Sequence, residues 1–244
     1  MQRYLLKLSY NGAAYHGWQL QTNAVTVQQV LEQALSMFLG DTIALTGCGR
    51  TDAGVNAFVF FAHFDTNTVF NEKLFPKRLN AYLREDIYIY DCVRVPADFN
   101  ARFSAVSRTY HYYISTRKDP FRQQFTYPVY RKTDFDKMNK AAAMLLEYTD
   151  FSAFSKANDS KTNDCKMIKA VWEQTETEHI WVFKITANRF LRNMVRAVVG
   201  TLLDVGSGSI SLEKFRDIIK SKKRQEAGAS VPGEALFLWD VKYN

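Results

Sequence analysis

The first forty residues, MQRYLLKLSYNGAAYHGWQLQTNAVTVQQVLEQALSMFLG, already contain the alternation that decides the fold. From Arg3 to Tyr10, apolar Tyr4, Leu6, Leu8 and Tyr10 take every second position, the period of a half-buried strand. Asn11-Gly12 turns the chain. Val27, Val30, Leu31, Ala34, Leu35 and Phe38 then recur at the helical period, with Thr26 and Gln29 spaced as a capping box and Gly40 as the stop.

Working outward, Ile43 to Gly47 and Phe58 to Phe64 read as strands. Leu74 to Leu83 reads as a helix with Pro76 near its start, and Ile87 to Val95 as a strand. The first half is therefore β-α-β-β-α-β. The second half repeats that order. Thr109 to Thr116 is a strand, and Asp134 caps a helix through Met138, Ala141, Ala142, Leu145 and Leu146. Met167 to Thr177 and Ile180 to Ala187 form a hairpin. Leu191 to Leu202 and Leu212 to Ile219 are helices, and Ala235 to Val241 is a closing strand. The expectation is an α+β fold of two ferredoxin-like units with pseudo-two-fold symmetry, their sheets joined around a central cleft. The units run over residues 1–105 and 106–244, with the boundary inside Pro96 to Ser107. Polar Ser155 to Lys166 lacks any period and is expected to be a mobile loop.

Composition narrows the function. A net charge of +7 with 14% aromatics is compatible with a nucleic-acid partner without requiring one. No apolar run reaches ~18 residues and no apolar leader is visible, so a cytoplasmic chain without a membrane span is expected. Three cysteines and four histidines, widely spaced, offer no disulfide framework and no metal motif.

Four segments stand out. In Gly47 to Ala57, GCGRTDAGVNA, three glycines bracket Arg50 and Asp52 directly after a strand. The spacing fits neither a dinucleotide nor a phosphate loop. Asp52 reads either as a turn cap or as a reactive carboxylate on a loop. In Asn188 to Arg196, Arg189, Arg192 and Arg196 are spaced to share one helical face, either as a solvated basic face or as an anion site. Tyr110 lies on a strand beside arginines, as a packing ring or as a platform for a base. The loop Tyr10 to Gln21 combines glycines with Trp18 and two glutamines.

Together these segments resemble the tRNA pseudouridine synthase A family nearly end to end. YNGAAYHGWQLQ resembles its opening loop and GCGRTDAGVNA its catalytic loop. FNARFSAVSRTYHYYI, DFSAF, FLRNMVRAVVGTLLDVGSG and AGASVPGEALFLWDVKY follow in the family's order. The resemblance implies a cofactor-free, metal-free isomerase that converts uridine to pseudouridine in tRNA, usually at uridines 38, 39 and 40 of the anticodon stem-loop. It also implies a homodimer with one tRNA bridging both subunits. It makes Asp52 the catalytic residue. Arg50 would help hold the target nucleotide out of the stack, Tyr110 would stack on the flipped uracil, Arg196 would pair with Asp52, and Leu236 would line the uracil pocket. Arg189, Arg192 and Lys166 are the candidates for phosphate contacts. Three positions depart from the family pattern: Asn56 replaces a usual histidine, Asn11 a usual aspartate and Lys166 a usual arginine. The competing readings are a non-catalytic RNA-binding module, which would not need Asp52, and a nucleoside hydrolase, which would release free uracil.

Overall fold

A computed structural model describes residues 1–156 and 162–244; of the loop expected over Ser155 to Lys166, residues 157–161 lie outside the described residues. Among the described residues, nine strands and five α-helices make an α+β protein. The chain divides into two compact units, Met1–Val106 with Leu238–Asn244, and Ser107–Phe237.

In the first unit, β1 (Gln2–Tyr10) is flanked by β3 (Asn56–Thr66) and β4 (Ile87–Val95), both antiparallel to it. The alternation read in the sequence sets the register. Tyr4, Leu6 and Leu8 stand opposite Phe64, Ala62 and Phe60, and all six are buried. A register shift between Leu8 and Tyr10 brings Tyr10 opposite Ala57. Strand β9 (Leu236–Tyr243) lies next to β3, and helices α1 (Val27–Leu39) and α2 (Phe75–Tyr82) belong to the same unit.

Helix α1 starts where its signals place it. Thr26 Oγ1 accepts from Gln29 N at 3.3 Å, and Gly40 ends the helix in the left-handed region at φ 67°. Only half of the capping box forms, because the buried Gln29 Oε1 has no hydrogen-bond partner.

The strand expected at Ile43 to Gly47 is shorter than its sequence suggests: only Thr46–Gly47 (β2) pairs with β3. Side chains of α1 take the missing ladder bonds. Ile43 N donates to Ser36 Oγ at 2.9 Å, Leu45 N to Glu32 Oε1 at 2.7 Å, and Gln28 Nε2 to Leu45 O at 3.1 Å. Buried backbone groups need a partner, but the partner need not be a strand.

In the second unit, β5 (Ala105–Ser115), β8 (Ile180–Ala187) and β7 (Met167–Gln174) pair antiparallel in that order, and β7–β8 is the expected hairpin. β6 (Tyr127–Pro128) adds a short parallel pair to β5. Asp134 caps α3 (Phe135–Met144) and Ser211 caps α5 (Leu212–Ser221). In α4 (Met194–Gly206) every residue except Arg196 and Asp204 is buried, as a helix apolar all round requires.

That helix corrects one reading. It begins at Met194, behind Asn193 at φ 65°, so Leu191, Arg189 and Arg192 precede it. The three arginines do not share a helical face; the left-handed turn at Asn193 breaks the period.

Two outcomes follow. Glu32→Ala removes the acceptor of the buried Leu45 N–H. It is expected to cost about 1–3 kcal/mol in urea denaturation, with Glu32→Gln losing less; a loss within error would mean water replaces the carboxylate. Burial, assisted by the Lys184 charge, pulls the His111 pKa from 6.5 down to about 4. A lowered folded pKa gives stability that is complete above the unfolded value and is lost as pH falls. The melting temperature should therefore drop between about pH 6.5 and pH 4, and His111→Gln should flatten that slope. An unchanged slope would show that His111 stays neutral or opens to water.

Candidate functional site

The GCGRTDAGVNA segment forms a loop between β2 and β3 in the first unit, and it packs on the opening loop Gly12 to Gln21. Trp18 N donates to Thr51 O at 3.3 Å, Gly54 N to Tyr15 O at 3.2 Å, and Gly12 N to Asn56 Oδ1 at 2.9 Å. Tyr10, which the register shift brings round, places its hydroxyl 2.9 Å from Thr51 Oγ1 in a buried contact. A side chain at Gly12 would collide with the Val55 carbonyl, and one at Gly17 with the Thr51 carbonyl. Gly17 also holds φ 87°, where L side chains are strained.

Trp18 anchors the pair of loops from below. It is buried, stacks on Phe60 at 4.1 Å, and occupies the space a Cβ on Gly47 would need.

This frame carries Asp52 half-buried at a strand end, closed behind by the Val55 N to Asp52 O turn bond of 3.2 Å. The turn itself is made by the Asp52 backbone carbonyl. Arg50 is exposed, and its Nε donates to Gln19 Oε1 at 3.0 Å, a second tie between the loops. Asn56 is buried and serves the opening loop as an acceptor; Asn11 caps the short 3-10 turn Gly12–Ala14 by accepting from Ala13 N at 3.0 Å. Both departures from the family pattern are therefore structural in this chain.

The other candidates lie in the second unit. Tyr110 is half-exposed on β5, and its ring meets Phe190 at 5.1 Å with an interplanar angle of 89°. Two residues on, Tyr112 is fully buried and donates to Pro232 O at 3.2 Å. Leu236 is buried at the start of β9, where its N–H donates to Gly233 O.

Arg196 stands in the first turn of α4. Its Nε donates to Val231 O at 2.7 Å, and its own carbonyl accepts from Val231 N at 3.2 Å. Sequence reading missed the groups that hold this arrangement. Arg224 donates to Ala227 O, Gly228 O and Ser230 Oγ, and Asn193 Nδ2 donates to the same Ser230 hydroxyl at 2.6 Å. Gly200 leaves no room for a Cβ beneath the Ala229 carbonyl, so the Ala227 to Gly233 loop lies directly on α4. The signal that could have revealed this was the small-residue run AGASVPG facing Gly200 in the middle of a largely bulky helix.

Asn188 links two further candidates. Its carbonyl accepts from Arg108 Nη1 at 2.8 Å. Its side chain accepts from Lys166 N at 2.7 Å, and its N–H donates to Lys166 O at 3.1 Å. Asn188 thus ties the Lys166 backbone and the Arg108 side chain to the residue before Arg189. Arg192 is exposed and holds Lys156 N through its carbonyl.

No group of three or more His, Cys, Asp or Glu side chains placed to hold a metal occurs among the described residues. The three cysteines are buried and form no disulfide, and burial pushes the Cys92 thiol up to about 12 and the Cys165 thiol up to about 11. None suits a nucleophile. No described helix is long and apolar enough to cross a membrane.

The whole chain is similar to known proteins. A family model described as tRNA pseudouridine synthase matches residues 141–244. Proteins named tRNA pseudouridine synthase A from Bacteroides fragilis and Porphyromonas gingivalis are each 49% identical over 100% of this chain, covering 97% and 98% of their own lengths. One from Thermoanaerobacter sp. is 39% identical over 100% of both chains. With such identity sustained from end to end, the chain belongs to the tRNA pseudouridine synthase A family.

Proposed function

We propose that this chain isomerises uridine to pseudouridine in the anticodon stem-loop of tRNA, at uridines 38, 39 and 40, with Asp52 as its essential carboxylate and no cofactor. The observation that carries the reading is Asp52 itself: a half-buried carboxylate on a loop braced by two close backbone approaches, in a chain of this family. The reaction breaks the C1′–N1 bond, turns the uracil, and joins C1′ to C5. The hydrogen on C5 leaves to solvent and N1 regains one, so the product is an isomer. A carboxylate beside C1′ meets the positive charge that grows there as the bond to N1 breaks, as in glycoside chemistry.

The other residues take the roles that family membership suggests. Flipping a base out of the helix costs a few kcal/mol, and an aromatic platform returns about 1–3 kcal/mol. Tyr110, half-exposed and braced by Phe190, is that platform. Arg50 keeps the nucleotide extruded, and Leu236 lines the uracil pocket. Arg196 pairs with Asp52; with its Nε on the Val231 carbonyl, its terminal nitrogens keep the fork that matches a carboxylate. Arg189, Arg192 and Lys166 contact phosphates, and the exposure of Arg192 and Lys166 supports that role. The wider reading is a cytoplasmic homodimer with one tRNA bridging both subunits. Residues 1–105 and 106–244 are read as two ferredoxin-like units, a reading supported by the order β1-α1-β2-β3-α2-β4 in the first and by β5-α3-β7-β8-α4-β9, with β6 and α5 added, in the second.

Release of tritium from [5-³H]uridine-labelled tRNA tests the reaction, since C5 loses its hydrogen only when the base is rearranged. Asp52→Ala should abolish release and leave tRNA affinity within about threefold; equal loss of both would make Asp52 a structural residue. Tyr110→Ala should lower kcat/KM by roughly 5- to 150-fold, the equivalent of one stacked base, while Tyr110→Phe recovers most of it. A Phe variant as poor as Ala would move the role from the ring to the hydroxyl.

A further inference from the structure

Between β5 and β6 the chain makes an excursion, TRKDPFRQQFT (Thr116 to Thr126), that leaves one strand end and returns to pair parallel with it. Asp119 organises it. One carboxylate oxygen accepts from Phe121 N at 3.0 Å; the other lies 3.0 Å from both Arg122 Nη1 and His179 Nε2, on the turn of the β7–β8 hairpin. Thr116 N donates to His179 O at 2.9 Å. Arg122 N donates to Asp119 O, and Phe125 N to Arg122 O. The Phe125 ring packs 5.8 Å from Phe237. The His179 and Arg122 bonds hold the Asp119 carboxyl down at about 2, so Asp119 stays ionised through the ordinary pH range.

This well-fastened loop leaves one large apolar group in water. Phe121 is 91% exposed. A lone exposed ring on a floppy loop would need no explanation, but here the backbone beneath it is ordered, so little freedom remains to be lost when the ring is covered. Its surroundings specify the partner. Arg117, Lys118, Arg122, Gln123 and Gln124 are exposed around it, and the one acid, Asp119, is already engaged. Arg117 and Lys118 carry no ion pair among the described residues. One ring is far short of the ~800 Å² per side that a stable protein contact buries, and a two-fold meeting of identical loops would set these cations against like charge. A base offers a π-face to one ring, with a phosphate on either side for the cations.

We propose that the Thr116–Thr126 loop is an RNA-holding element: Phe121 stacks on an unpaired base of the substrate, and Arg117 and Lys118 contact the flanking phosphates. This rests on the reading of the chain as an enzyme acting on tRNA, and the two can fail separately.

The test measures filter-binding affinity of the full-length protein for unmodified tRNA over a range of salt, with sedimentation velocity on each variant. Phe121→Ala should weaken binding roughly 5- to 150-fold at fixed salt without changing the salt slope, and Phe121→Trp should restore it. Lys118→Ala should lower the slope by about one. Wild-type affinity in Phe121→Ala overturns the proposal. So does a loss that tracks a change in sedimentation, which would make the ring a contact between copies. If the wild type binds tRNA through Phe121 yet releases no tritium, the loop assignment stands and the enzymatic reading falls.

Discussion

The geometry of the first unit depends on one constraint: the backbone of Gly12 to Trp18 lies against the backbone of Thr51 to Val55 with no side chain between them. Carbonyl groups cannot swing aside as a flexible side chain can, so glycine is required at both points of closest approach. The strand pattern supplies the rest. The register shift near the end of β1 aims Tyr10 at Thr51, and Trp18 against Phe60 fixes the opening loop to the core of the sheet. Asp52 inherits its position from these contacts. A carboxylate meant to act on a substrate needs to be held while remaining reachable, and loops braced by a rigid sheet provide both.

In the second unit, Arg196 is placed against local preference. A cation in the first turn of a helix opposes the macrodipole by about 0.3–1 kcal/mol. The residue before that helix is a left-handed asparagine whose side chain bonds Ser230 instead of capping the helix. Two departures from helix-start chemistry within four residues need an external reason, and such departures gather at functional sites. The structure supplies part of the compensation: Val231 binds Arg196 at both ends, and Arg224 stiffens the Ala227 to Gly233 loop from which Val231 projects.

Most strands and helices were legible because each buries one face and so writes its period into the sequence. Where that legibility failed, the cause was a bond the period cannot encode. Ile43 to Leu45 has the composition of a strand, but Ser36, Glu32 and Gln28 of α1 claim its backbone groups. Arg189, Arg192 and Arg196 have helical spacing, but Asn193 turns left-handed between them. Of the candidate site, the Asp52 loop was legible from its glycines. The support around Arg196 was not, because Arg224, Asn193 and Gly200 come together only through the fold.

The net charge of +7 takes on a sharper meaning once each cation's partner is known. Arg3 is bound to Asp65, Arg94 to Glu72, Lys222 to Asp150, and Lys169 and Lys184 share Glu173. Arg108 and Arg224 serve backbone carbonyls. Exposed pairs of this kind add about 0–1 kcal/mol each, so their main effect is to cancel local field. Cancellation at those places concentrates the remaining positive potential where no ion pair answers it among the described residues, as at Arg117 and Lys118 around Phe121. A modest total can then attract a polyanion as well as a larger, evenly spread charge, because binding follows the number of phosphates met at the contact and not the charge of the whole chain.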